Sequence, residues 1–239
     1  MSTAILVPSL GRPHRVETVV HNIDRSTPQD HLQIWCAHGQ EYRETFLDLG
    51  FTELLEAGTI PGEEEHRLFL DDSVNNPDED YRYVTRNNML ARAAKLLGAS
   101  AVFFGQDDVL FAPGWLPEAQ SVMEYEGKEV VLVNDLHNPG GTAALMLTSY
   151  MDKAVFDSPG DVFHGGYRHN FADNEQHFTA LMRDTIARAE RSVVEHLNPI
   201  FHGEKYMKVD DTYRLSAYGW EHDQKLWQQR RQLIEEALG

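Results

Sequence analysis

Two adjacent acids, Asp107 and Asp108, directly follow a short apolar run over residues 101–104. In an α/β sheet, ligands bind just beyond the carboxyl ends of the strands. Carboxylates at such a position offer the hard oxygen ligands that divalent cations prefer. The pair therefore predicts a metal site and, with it, a phosphate-bearing substrate. A turn that only closes the strand is the alternative interpretation.

A second candidate is the turn Pro8-Ser9-Leu10-Gly11-Arg12-Pro13, which comes directly after the first apolar run. Proline and glycine force the chain to turn at the edge of the sheet. Pro8, Ser9 and Arg12 then lie where a nucleotide could bind, and Arg12 can pair with phosphate or stack on a base. An ordinary strand-to-helix turn explains the same residues.

A third candidate is Thr85-Arg86-Asn87, at the start of a predicted helix. Thr85 can cap that helix through its hydroxyl. A cation such as Arg86 opposes the helix dipole at this end, so its presence favours a role in binding phosphate.

The elements that must position these residues alternate between short apolar runs and helical patterns. This alternation predicts an α/β fold with a mostly parallel sheet flanked by helices. The predicted strands are 4–7, 32–37, 52–56, 101–104, 130–133, 142–147 and 192–196. The predicted helices are 14–24, 40–49, 86–97, 178–189 and 220–238.

We expect one domain over residues 1–239, because the two halves of the chain depend on each other. Residues 1–117 form a nucleotide-binding half, 118–205 an acceptor and catalytic half, and 206–239 a C-terminal extension with a helix. Between Glu53 and Asp80, acidic segments such as 62–65 and 75–80 are predicted to be solvated loops.

Composition narrows the function classes. The chain of 239 residues carries 21 basic and 38 acidic residues, a formal charge of -17. This argues against a broad electrostatic grip on nucleic acid. The single Cys36 excludes an internal disulfide and is predicted to be a core residue. With neither a membrane-spanning run nor a signal peptide in the sequence, we expect a cytoplasmic protein.

In their order and spacing, these motifs resemble those of glycosyltransferases with the GT-A fold, and most closely the large family-2 group. The matching segments are Pro8–Pro13, Thr85-Arg86-Asn87, Gln106-Asp107-Asp108, Pro113-Gly114-Trp115-Leu116 and, loosely, residues 140–157. The resemblance covers residues 3 to 205. It implies a metal-dependent transfer of a sugar from a nucleotide-diphosphate donor, expected to be UDP-linked, with inversion at the sugar.

The resemblance also implies roles for single residues. Asp108 matches the final acid of the Asp-x-Asp motif, which binds the metal, Mn2+ or Mg2+. Asp107 matches the middle acid, and Gln106 departs from the usual first acid. The donor side would further include Arg86, Asn87 and Trp115, together with Glu41 or His38 as the residue that reads the base.

Acidic residues at a later helix start would supply the general base in such enzymes. Asp173 is the expected base and Glu175 the alternative. Capping of the helix by Asp173, with Glu175 as a favourable first-turn acid, is the structural alternative. His196 or His202 would complete the metal site, whereas Asp210 and Asp211 are expected in a loop or cap.

Rival functions remain at this stage. A nucleotidyltransferase would need a glycine-rich phosphate loop with a lysine near the N-terminus, but the turn after Val7 has one glycine and no lysine. A non-catalytic nucleotide- or sugar-binding module is the other rival. The acceptor stays open among a metabolite, a glycan precursor, a protein and, as in some bacteriophage enzymes, a modified DNA base.

Overall fold

The structure, a computed structural model, describes most of the chain. The described residues are 1–9, 12–27, 31–37, 42–53, 67–70 (backbone only), 83–137, 143–210, 213–214, 217 and 219–239. Within them, no helix is both long and apolar enough to cross a membrane.

The described strands form a sheet of nine strands in the order β3-β4-β2-β1-β5-β8-β7-β9-β6. The five strands from β3 to β5 are parallel, β8 and β6 run antiparallel to their neighbours, and β7 pairs with β9 in parallel. The bounds are β1 Thr3–Ser9, β2 His31–Ala37, β3 Thr52–Glu53, β4 Arg67–Leu70, β5 Ala101–Phe104, β6 Val109–Phe111, β7 Val130–Asn134, β8 Ala144–Leu147 and β9 Ile186–His196.

Helices cover both faces of this sheet. Their bounds are α1 Val16–Ser26, α2 Arg43–Asp48, α3 Tyr83–Leu96, α4 Trp115–Glu126, α5 Met151–Ala154, α6 Ala172–Met182, α7 Pro199–His202 and α8 Trp220–Leu238. The structure therefore confirms the predicted α/β architecture, in which a mostly parallel sheet lies between layers of helices.

The core lies on the two sides of the sheet because side chains along a strand alternate in direction. In β1, Leu6 packs in the cluster that includes Leu90 of α3, whereas Ile5 packs in the cluster that includes Val20 of α1. All four side chains are buried. Parallel strands covered on both faces have the near-continuous apolar sequences seen here.

The predicted helix over residues 178–189 is wrong in its bounds. Helix α6 begins six residues before the predicted start and ends seven residues before the predicted end, and the chain then turns through Asp184, whose φ is +52°. Residues 186–196 instead form the long strand β9, which pairs with both β7 and β6. Pairing of residues 186–189 with β7 outweighs their local helical pattern, since strand preference depends on tertiary context.

Five elements have no counterpart among the predicted ones, two of them the short helices α5 and α7. Strand β4 lies inside the acidic region between Glu53 and Asp80 and pairs with β2 and β3. Strand β6 and helix α4 follow the Asp107–Asp108 pair. The acidic segments 62–65 and 75–80, and Gly140-Gly141, lie outside the described residues.

Candidate functional site

The acid pair lies in the loop between β5 and β6, at the carboxyl ends of the central parallel strands. Gly105 begins this loop, and its N–H donates to the Leu6 carbonyl at 2.8 Å. A Cβ at Gly105 would lie 3.3 Å from the same carbonyl oxygen, so glycine permits this close approach. The loop is thereby held against β1, which brings Asp107 beside the turn that follows β1.

Asp107 is fixed by two side chains from the β1 turn. Its Oδ1 accepts a hydrogen bond from Arg12 Nη1 at 2.6 Å, and its Oδ2 accepts one from the Ser9 hydroxyl at 2.7 Å. Burial raises the pKa of Asp107 to about 6, against the opposing effect of Arg12. Ser9, predicted to contact a donor, is itself buried and instead orients this carboxylate.

Asp108 has a different environment. Its Oδ2 accepts a hydrogen bond from the Tyr213 hydroxyl at 2.8 Å and lies 3.3 Å from His196 Nε2. Burial alone would raise the pKa of Asp108, but the effects of His196, Arg12 and Tyr213 outweigh it and hold that pKa below its usual range. Asp108 is therefore ionised, as a metal ligand must be.

Arg12 joins several acids and is almost fully buried. Besides Asp107, it donates from Nε to Asp210 Oδ2 at 2.6 Å and from Nη2 to Asp210 Oδ1 at 3.0 Å. Its guanidinium lies 4.3 Å from the ring centroid of Tyr213. Asp210, expected in a loop or cap, is thus paired with Arg12, and a phosphate would compete with it for that side chain.

The side chains around Asp108 fit a divalent cation. Asp108 Oδ1 is buried and has no hydrogen-bond partner among the described residues. The 3.3 Å between Asp108 Oδ2 and His196 Nε2 is close to the roughly 3.0 Å between neighbouring ligands of an octahedral ion with bonds of about 2.1 Å. Three carboxylates surround the single charge of Arg12, so an added cation offsets their excess negative charge.

These groups line a cleft of about 260 Å³. Eight of the predicted site residues lie along it. They are Pro8, Arg12, Arg86, Gln106, Asp107, Asp108, Asp173 and His196. The structure therefore brings the strand-end acids, the β1 turn and the start of α6 to one place.

A second cleft of about 220 Å³ adjoins the first. Both clefts are lined by Tyr83, Gln106, Asp173, His196 and Asn198. The second is additionally lined by aromatic side chains, among them Phe104 and Phe163. Asp173 thus lies at the junction of the two clefts.

The loop before Asp173 is shaped by α8. Asp223 of α8 is fully buried, and its carboxylate accepts hydrogen bonds from the backbone N–H groups of Arg168, His169 and Asn170 at 2.8–3.0 Å. Phe171 follows with a φ of +62°, which is uncommon for a residue other than glycine. The C-terminal helix therefore sets the position at which α6, and with it Asp173, begins.

Glu175, the alternative base, is not directed into either cleft. Both of its oxygens accept hydrogen bonds from Arg230 of α8, at 2.6 and 2.8 Å, and Oε2 also accepts one from the Tyr167 hydroxyl. Glu175 is 1% exposed. Its carboxylate has its partners inside the protein, which contradicts a role as base.

Two residues predicted to bind the donor are core residues instead. Trp115 is fully buried, packs against Phe103 and Phe111, and donates from Nε1 to the Thr27 hydroxyl. Asn87 is also fully buried and donates to the Tyr83 carbonyl within α3. Neither lines the clefts, because their helices turn these faces toward the core.

The start of α3 also differs from its prediction. The helix begins at Tyr83, so Thr85 lies inside its first turn and is not the residue that caps it. Arg86 is the fourth residue of the helix and lines the cleft, and its role in binding phosphate stays a prediction. The candidates for reading the base, His38 and Glu41, lie outside the described residues.

His202 does not join Asp108. Its Nε2 lies 3.2 Å from the His196 carbonyl oxygen and 3.6 Å from Glu195 Oε1. Of the two predicted histidines, only His196 therefore faces the strand-end acids. The reason is that successive residues of β9 point to opposite faces, which separates His196 from Glu195 and its neighbours.

Several cleft residues had no sequence pattern to identify them. Tyr213, Trp220, Asn198 and His169 reach the cleft from widely spaced segments. His169 is buried, and this burial lowers its pKa to about 4. Its ring lies edge-on to Tyr83, with centroids 4.6 Å apart.

The fold is similar to that of solved sugar-transferring enzymes. The GDP-mannose and Mn2+ complex of a mannosyltransferase from Pyrobaculum calidifontis matches 86% of this chain with a TM-score of 0.60 and 13% identity. TarS of S. aureus in complex with UDP matches 92% with a TM-score of 0.59 and 9% identity. Glucosyl-3-phosphoglycerate synthase of Mycobacterium tuberculosis, with Mn2+, UDP and phosphoglyceric acid, matches 82% with a TM-score of 0.51 and 14% identity.

At these identities the likeness establishes the fold. The GT-A fold that the motifs implied is confirmed. The chain spans 37% of a longer TarS chain and 58% of the mannosyltransferase. No protein-family model and no curated protein sequence matches it.

Proposed function

We propose that the protein is a metal-dependent glycosyltransferase that moves a sugar from a nucleotide-diphosphate donor to an acceptor hydroxyl, with inversion. The observation that carries this proposal is the meeting of Asp108, His196 and Asp173 along one cleft at the carboxyl ends of β1 and β5. This is the edge of an α/β sheet at which ligands bind. The similar structures that hold a nucleotide sugar and Mn2+ support the same substrate class.

Asp108 and His196 would hold the cation. When bound, such an ion neutralises negative charge on a leaving diphosphate. Asp107, oriented by Ser9 and Arg12, adds a carboxylate next to that position. Arg86 lies along the same cleft and supplies a positive charge for the donor phosphates.

Asp173 would act as the general base. It accepts the proton of the acceptor hydroxyl as the acceptor oxygen forms its bond to the anomeric carbon. The bond from that carbon to the diphosphate breaks at the same time, and its electron pair leaves with the diphosphate. The junction of the two clefts at Asp173 supports a donor in the first and an acceptor in the second.

A donor panel tests the proposal. Purified protein with Mn2+ or Mg2+ is given UDP-sugars first and GDP-sugars next, and hydrolysis of the donor or a rise in melting temperature is recorded. We expect one donor class to give both signals in the presence of the metal. If no donor gives either signal, the protein is not a glycosyltransferase.

The variant Asp108→Asn sharpens this test. It keeps the shape of the side chain and removes the charge that faces His196, so donor turnover should fall about 10²–10³-fold. Donor hydrolysis with saturating Mn2+ measures the loss. A non-catalytic binding module would bind the donor but show no turnover even in the wild type.

A further inference from the structure

A second cluster of metal-ligand side chains lies on the other face of β9. It consists of His137, which follows β7, Glu195 of β9 and His202 at the end of α7. One potential ligand atom from each of the three residues lies within 4.8 Å of the other two. Glu195 and His196 are neighbours in the strand, so this cluster and the Asp108–His196 pair face opposite ways.

The spacing of the ligand atoms suits a tetrahedral ion. His137 Nε2 and His202 Nε2 lie 3.2 and 3.6 Å from the same oxygen, Glu195 Oε1, and the ion would replace the hydrogen bond of His202 Nε2 to the His196 carbonyl. The ligands of a tetrahedral ion with bonds of about 2.1 Å lie roughly 3.4 Å apart. Two imidazoles and one carboxylate are a recurring set for zinc, with a fourth position left for water.

The surrounding side chains already hold the imidazoles in place. The His137 ring stacks on Phe201 with centroids 6.0 Å apart, and the His202 ring lies edge-on to Tyr206 at 4.9 Å. The Asn198 side chain caps α7 by accepting from the Ile200 N–H at 2.9 Å, which fixes the turn that carries His202. Ligands that are held before the ion arrives lose less entropy when they bind it.

We propose that His137, Glu195 and His202 bind a transition-metal ion of the zinc type, separate from the cation of the donor site. Imidazole ligands favour zinc and similar ions over magnesium, which prefers oxygen ligands. The ion would join the end of β7 to α7. Asp135, Asn198 and Phe201 of these segments line the second cleft, so the ion would stiffen that wall.

The test uses zinc alone as the probe. The full chain, without a histidine tag and stripped of metal by a chelator, is titrated with Zn2+ in competition with a coloured zinc indicator. We expect one zinc site per chain, with affinity reduced at least about 100-fold in His202→Ala and Glu195→Gln. His21→Ala removes one imidazole from α1 and should leave the affinity unchanged.

A further variant separates the two metal sites. Asp108→Asn should keep the zinc site while it impairs the donor site, and this result is independent of whether the protein transfers sugar. Zinc should also raise the melting temperature of the wild type but not that of Glu195→Gln, which retains both imidazoles. Equal zinc affinity in the wild type and His202→Ala, or loss of zinc binding in Asp108→Asn alone, would overturn the proposal.

Discussion

Two groups of carboxylates flank the start of α6, and they have opposite surroundings. The cleft acids, Asp107, Asp108 and Asp173, line the candidate donor site. The anchor acids, Glu175 and Asp223, tie α6 and its preceding loop to α8. Asp173 and Glu175 are only two residues apart, yet they belong to different groups.

Asp108 differs from the anchor acids in how its oxygens are satisfied. Both oxygens of Glu175 accept from Arg230, and both oxygens of Asp223 accept backbone N–H groups. Asp108, by contrast, has a buried oxygen without a hydrogen-bond partner among the described residues. A buried polar atom without a partner costs free energy, and a cation bound by Asp108 would offset that cost. The complete partners of Glu175 and Asp223 stabilise the fold, whereas Asp107 has partners for both oxygens and still lines the cleft.

The largest expected effect concerns Asp173. Asp173→Asn removes the proposed base, so kcat should fall by about 10²–10⁴-fold while donor affinity is kept. Steady-state kinetics with the donor and acceptor identified in the panel measure both quantities. Asp152→Asn, an exposed acid of α5, is the matched control. An unchanged kcat in Asp173→Asn would show that Asp173 is not the general base.

Glu175→Gln tests the anchor acids. It leaves Arg230 buried with a weaker partner, which should lower the free energy of unfolding by about 3–5 kcal/mol. Urea denaturation gives the value, and Glu175→Gln combined with Arg230→Met should recover part of it. Unchanged stability together with lost transfer would instead return Glu175 to the role of base.

Asp223→Asn should have a smaller effect of the same kind. The amide replaces one acceptor oxygen with a donor that faces backbone N–H groups, at a cost of about 1–3 kcal/mol. The displaced loop should also reduce transfer, because it sets the start of α6. Thermal unfolding and kcat are measured in parallel, with the exposed neighbour Glu221→Gln as control. A stable variant with full activity would show that α8 does not position Asp173.

The smallest expected effect is a pH dependence from His169. Its pKa is lowered to about 4 in the folded protein and is near 6.5 when unfolded, so below pH 6.5 only the unfolded state gains a proton. Stability is therefore lost as pH falls from 6.5 toward 4, by about 1.4 kcal/mol per pH unit at most. His169→Asn should flatten this slope in urea melts between pH 6.5 and 4, whereas the exposed His14→Asn should not. Parallel slopes in all three proteins would refute the assignment.

Much of the fold was predictable because its elements have local patterns. The apolar run of β5 and the helical spacing of Trp220–Leu238 match the observed bounds. The C-terminal part of β9 was predicted as the strand 192–196, but its residues 186–189 were not, since their pairing with β7 determines their conformation. Strand β4 likewise depends on β2 beside it.

The candidate site, like the fold, was predictable only in part. The sequence identified charged residues that directly follow an apolar run, such as Arg12, Asp107 and Asp108. It misassigned Trp115 and Asn87, because a motif gives the residue but not the face of the helix on which it lies. It also gave no reason to select Tyr213, whose partner Asp108 is 105 residues away, or Asp223, whose backbone N–H partners are 53 to 55 residues away.

The sequence by itself determined the α/β class, the strand-end acids and their order with the β1 turn and the α3 start. These features depend on the periodicity of short segments and on residue types at their ends. Only the tertiary structure decided which acids face the cleft and which hold the fold together. The role of each acid depends on partners from distant segments, since the donors that surround a buried carboxylate determine whether its oxygens are free to bind a ligand.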